Sequence, residues 1–218
     1  MKKLLFIPLL FISFCLSASP IGEKRAREIA AQFFAQTVTR GADVKLDLEW
    51  AGFDINAAPP RGAVVDADEA LMKKLDIRIA GIHLLCYEHG TVEENTYGMV
   101  QAIRHPYIQI ISHPGDGTAK LNFEPMVLAA KECGTLLEIN NSSLKPARGK
   151  VDARTNNLEI LRLCKQYEVP VILGSDAHIS FDIANYQYIY ELLQETEFPE
   201  DLIVNRSVEV FMNSLKKI

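Results

Sequence analysis

Three of the five histidines in this chain stand at or just after the ends of short apolar runs. His83 closes Ile77-Arg-Ile-Ala-Gly-Ile-His83. His113 closes Tyr107-Ile-Gln-Ile-Ile-Ser-His113. His178 follows Val169-Pro-Val-Ile-Leu173 by way of Gly174, Ser175 and Asp176. A fourth run, Thr135-Leu-Leu-Glu-Ile-Asn140, carries Glu138 and Asn140 at its end. Runs of this length, rich in β-branched and aliphatic residues, have the pattern of strands buried on both faces. In parallel α/β folds the carboxyl ends of strands share one rim, and sites are built there. Imidazole and carboxylate donors together suit zinc, manganese or iron. Such an ion makes water nucleophilic near neutral pH and stabilises charge developing on a phosphoryl oxygen. The competing reading is structural. Ser or Asp ahead of a helix is a common N-cap, and one histidine alone is more readily a capped or core residue than a ligand. Three histidines at equivalent places, with Asp176, tip the balance to metal.

The elements that position these groups alternate. Helical spacing over Asp66–Leu75, Val92–Arg104, Glu124–Cys133 and Asn156–Tyr167 separates the four apolar runs, and two further helices are expected near 183–195 and 208–217. Strands alternating with helices of this length predict βαβ units and a parallel sheet, hence an α/β fold.

The front of the chain is different. Met1-Lys-Lys3 precedes an apolar stretch, Leu4–Leu16, and then Ser17-Ala18-Ser19-Pro20. This is the pattern of a secretory signal peptide over 1–19, and the run is too short for a comfortable membrane span. Export is therefore expected, with no stable membrane insertion once the signal is removed. Ala26, Ile29, Ala30, Phe33 and Phe34 then recur at helical spacing over 21–39. Val44, Leu46, Leu48 and Trp50 alternate as in a half-buried strand. On Arg27-Glu-Ile-Ala-Ala-Gln-Phe-Phe34 this opening resembles the prosegment of secreted streptopain-like cysteine proteases. Three regions are expected: the signal peptide, a prosegment-like helix and strand over 20–51, and the α/β domain over 52–218.

Composition excludes some classes. The chain has 218 residues and a formal charge of -5, so no basic excess is present to bind a nucleic-acid backbone. Cys15, Cys86, Cys133 and Cys164 are scattered, with no C-x-x-C spacing, which argues against a disulfide framework or a zinc finger. Oligomeric state is not legible.

Ile79-Ala-Gly-Ile-His83, Ile110-Ile-Ser-His-Pro-Gly115, Glu138-Ile-Asn-Asn-Ser-Ser143 and Gly174-Ser-Asp-Ala-His178 resemble the later motifs of the polymerase and histidinol phosphatase (PHP) family. The nearest branch is that of small bacterial phosphatases, and the resemblance runs over about 62–218. It implies a distorted (β/α)7, TIM-like barrel and metal-dependent hydrolysis of phosphate esters on a small phosphorylated substrate. It implies His83, His113, Asp176 and His178 as metal ligands. It also places Asp54, in Gly52-Phe-Asp-Ile-Asn56, where the family carries a ligating glutamate. Zinc is the expected ion, with manganese or iron as alternatives. Glu138 and Asn140 are expected behind the ligands, orienting the rim. Relatives of this kind suggest a cytoplasmic setting, against the export signal.

Lys145 and Arg148, on a loop after a rim strand, are the best candidates to bind substrate phosphate. His89, beside Glu88, reads as a substrate contact or a surface residue, with the surface favoured. Family members open with a strand ending His-x-His, and no histidine precedes His83 here. The barrel is accordingly expected to be incomplete on its N-terminal side, and activity to be impaired. Two rival readings follow: a catalytically degenerate remnant of the fold, and an exported inhibitor or binding module for a cysteine protease.

Overall fold

The structure is a computed structural model that describes residues 50–56, 64–65, 69–83, 89–150 and 152–215. All of these fall in one compact unit, which takes in Glu49–Ile218. The expected signal peptide, the helix over 21–39 and all but Trp50 of the strand expected over 44–50 lie outside the described residues. Among the described residues no helix is long and apolar enough to cross a membrane.

Strand β1 (Trp50–Asn56) spans the expected junction at 51/52 and pairs antiparallel with the short β2 (Val64–Val65). On its other side β1 runs parallel to β3 (Ile77–Gly81), which is followed by β4 (Ile110–Ile111), β5 (Leu136–Asn140) and β6 (Val171–Gly174). The sheet order is thus β2-β1-β3-β4-β5-β6. A short helix, α1 (Glu69–Met72), leads into β3. Three longer ones, α2 (Val92–Arg104), α3 (Phe123–Cys133) and α4 (Ala153–Tyr167), each carry the chain to the next strand. Right-handed crossovers between sequential parallel strands put such helices on one face. Accordingly α2 packs on α3, α3 on α4, and α4 on α5 (Gln187–Glu195). The chain then passes to α6 (Val208–Ser214).

Local chemistry explains the helix ends. Thr91 and Glu94 form a reciprocal capping box at the start of α2, so two exposed N–H groups are satisfied at once. Gly134 ends α3 at φ 68, in the left-handed region where a glycine costs least.

Both faces of the sheet are buried from β3 to β6. Ala80, Ile111, Leu137, Ile139, Val171 and Leu173 pack with Met99, Ile103, Met126, Val127, Ile160 and Leu161 in one apolar cluster. The alternate positions Ile79, Ile110, Leu136, Glu138 and Ile172 are equally buried. Period-two alternation sends them to the opposite side. This explains why the strands read as continuous apolar runs.

Two expectations need correction. The strand expected over 107–113 is only Ile110–Ile111. At its start the chain turns, with the Ile108 N–H donating to the His105 carbonyl, and at its end His113 takes φ 34. The helix expected from 183 begins at Gln187, because Ser180–Asp182 forms a separate 3-10 turn. The α/β class is as expected. Among the described residues the sheet is open, in the order given above.

Candidate active site

The site begins at the adjoining ends of β3 and β4, where the Ser112 side chain lies against Gly81. Gly81 ends β3, and a Cβ there would lie 2.2 Å from the Ser112 Oγ. Only a residue without a side chain permits that approach. His83 and His113, the next polar groups along each strand, are thereby brought together. Their Nε2 atoms stand 3.3 Å apart, with ring centroids 5.0 Å apart and planes at 81°. One flanking position is set by register, since Asp54 on β1 pairs through its backbone with Gly81.

His113 is held at several points. Its N–H donates to Glu138 Oε2 at 2.7 Å, its Nδ1 lies 3.6 Å from Asp116 Oδ2, and its side chain is 15% exposed. Its backbone sits in the left-handed region at φ 34, which a β-carbon makes costly. Burial holds the imidazole below its usual pKa, against the pull of Asp116. Asp116 accepts from the Thr118 N–H at 2.8 Å and the Thr118 hydroxyl at 2.7 Å, and it pairs with Lys150. Burial would raise its pKa, but His113 and Lys150 outweigh that and hold the carboxyl below its usual range.

Glu138 is fully buried. Its Oε2 accepts from His113 and, at 3.2 Å, from the Asn140 amide, while its Oε1 has no hydrogen-bond partner. Burial first, then the charge of Asp176, pushes this carboxyl up to about 8. Asn140 in turn accepts from the Ser143 N–H at 2.8 Å, which folds the loop after β5 back onto the strand end.

The other expected residues are placed as follows. Asp176 follows β6 at φ 49 and acts electrostatically on both His113 and Glu138. His178 is exposed, and its Nδ1 lies 2.9 Å from the Asp176 carbonyl oxygen. Lys145 is engaged by Asp182 at 2.7 Å, with Arg148 exposed and adding positive charge near the same carboxylate. His89 is exposed. The structure therefore joins His83, His113, Glu138 and Asn140 directly, with Asp176 in electrostatic reach. Lys145 and Arg148 form a second group around Asp182. Among the described residues no three of His, Cys, Asp and Glu converge as a metal-binding group.

No family model matches the chain. Individual relatives do. A "probable phosphatase" of Clostridium novyi is 40% identical over 165 residues, covering 76% of this chain and 66% of that protein. One of Caldicellulosiruptor bescii is 44% identical over 152 residues, covering 70% and 62%. One of Caldicellulosiruptor saccharolyticus is 40% identical over 165 residues, covering 76% and 67%. The chain belongs to this family of bacterial phosphatases. It spans 62–67% of the length of these three relatives.

Asp116 and Lys150 are not among the site residues expected from the sequence. The available signal was the spacing His113-Pro-Gly-Asp116. A tight turn of that length, with the Asp116 N–H donating to the His113 carbonyl at 3.1 Å, returns the carboxylate to the imidazole.

Proposed function

We propose that the chain is a metal-dependent phosphoesterase of the PHP type, with its site on the rim formed by the carboxyl ends of β3 to β6. The observation that carries this reading is the pair His83 and His113, whose Nε2 atoms face each other at 3.3 Å. Its relatives' names supply the reaction class.

The two facing imidazoles fit a divalent ion. Two nitrogens each about 2.0–2.1 Å from one tetrahedral ion stand roughly 3.4 Å apart, close to the observed separation. The two rings come from adjacent strands, so the backbone fixes their approach before any ion arrives. Zinc, manganese or iron would be held by His83 and His113, with Asp54, Asp176 and His178 as the further ligands of the reading. When bound, the ion supplies a water nucleophilic at neutral pH and positive charge beside the phosphoryl oxygens.

The remaining work falls to the chain itself. Burial favours the uncharged form of His113, the form in which an imidazole can donate a lone pair. Glu138 fixes the His113 backbone through the 2.7 Å hydrogen bond. Lys145 and Arg148, held near Asp182, offer cationic charge to a phosphate monoester. The net charge of -5 favours a small phosphorylated molecule over a polynucleotide.

The rival reading is a non-catalytic remnant of the fold. It is favoured by the lack, among the described residues, of any converging group of three ligand-type side chains. A panel of small phosphomonoesters, assayed after loading with zinc, manganese or iron, separates the two. Hydrolysis that chelation abolishes is expected. Less than one metal per chain, with no hydrolysis in any of the three forms, would overturn the proposal.

A further inference from the structure

Asp116 is nearly fully buried. Its Oδ1 accepts from the Thr118 N–H, and its Oδ2 accepts from the Thr118 hydroxyl and pairs with Lys150. The same Oδ2 lies 3.6 Å from His113 Nδ1. The other nitrogen of that ring, Nε2, faces His83. One carboxylate thus sits behind the imidazole, on the side away from the histidine pair.

We propose that Asp116 is a positioning residue, pinned by Thr118 and Lys150, that holds His113 in the Nδ1–H form and so presents the Nε2 lone pair to the space shared with His83. The physics is direct. A lone pair on Nδ1 facing a carboxylate is repelled, whereas an N–H there is attracted, and the tautomer follows from that contact. His83 Nε2 is then the donor of the pair in the metal-free protein. Lys150, reaching Asp116 from the loop ahead of α4, holds the carboxylate in place. The inference rests on the proposed metal site only for its purpose; the tautomer is a property of the chain.

The test is asparagine at this position. In Asp116→Asn the negative charge facing His113 Nδ1 is lost, and where the amide oxygen stays with the Thr118 N–H its NH2 faces that nitrogen. The ring should then move its proton to Nε2. Nitrogen-15 NMR of the full chain, metal-free at mildly alkaline pH, reads this directly. Wild type is expected to show His113 protonated at Nδ1, and Asp116→Asn to show it at Nε2. Zinc titration should then give an affinity about 10–100-fold weaker for Asp116→Asn at unchanged stoichiometry. A wild-type His113 protonated at Nε2 overturns the inference, and that measurement needs no variant. Equal zinc affinity in the two proteins overturns it as well. Wild type that binds no zinc but shows the Nδ1–H ring contradicts the proposed function and leaves the positioning role standing.

Discussion

Glu138 lies across Gly174, its neighbour on β6: a Cβ at position 174 would fall 1.7 Å from Glu138 Oε1 and 2.7 Å from Cδ. The carboxyl cannot swing aside freely, because its other oxygen is held by His113 and Asn140. Gly174→Ala is therefore expected to destabilise the fold by about 1–3 kcal/mol, the range of overpacked cores. Denaturant unfolding measures this. Combining Gly174→Ala with Glu138→Ala should cost less than the sum of the two, because the second change removes the clash. Strict additivity would show that the two side chains do not compete for one space.

The same carboxyl gives the metal-free protein a distinct pH dependence. Its folded-state pKa of about 8 lies above the ordinary 4.5, so the folded state holds this proton more tightly. The favourable contribution is complete below about 4.5 and is lost as pH rises through about 8. Relative to Glu138→Gln, wild type should lose stability across that window, with a slope of up to about 1.4 kcal/mol per pH unit. Urea unfolding in the presence of a chelator, at several pH values across the window, isolates the difference. A pH-independent difference would mean that Glu138 ionises normally.

Asn205 protects the edge of β6. Its Oδ1 accepts from the Leu173 N–H at 3.1 Å and its amide donates to the Leu173 carbonyl at 2.8 Å, so one side chain imitates a neighbouring strand. Ile203 adds a parallel bridge to Val171 beside it. Asn205→Ala leaves two buried backbone groups unpaired, at about 1–3 kcal/mol each. A loss of about 2–4 kcal/mol in denaturant unfolding is expected. Because β6 delivers Asp176 to the rim, any phosphatase activity should fall with it. A loss under about 0.5 kcal/mol, the ordinary range of surface substitutions, would contradict the pairing.

The sequence made the alternation of elements readable because apolar runs such as Leu136–Asn140 and Val171–Gly174 are buried on both faces. It overextended the strand before His113, because the left-handed backbone there has no signature in apolar spacing. His83 and His113 were legible from residue type and place. Asp116 was not, since its contact depends on a three-residue turn, and Lys150 lies 34 residues further along the chain. The signal peptide expectation and all but the last two residues of the prosegment-like region fall outside the described residues. The elevated carboxyl of Glu138 was invisible too, because a glutamate in a strand gives no sign of how deeply its neighbours bury it.

The central claim is that His83 and His113 hold one divalent ion, and metal stoichiometry of the histidine variants tests it most directly. Equilibrium dialysis against zinc, with metal read by elemental analysis, should find at least one ion per wild-type chain. His83→Ala and His113→Ala should each bind one fewer ion, with the fold retained by circular dichroism. Folded variants that bind as much zinc as wild type, or a wild-type chain that binds none, would contradict the account.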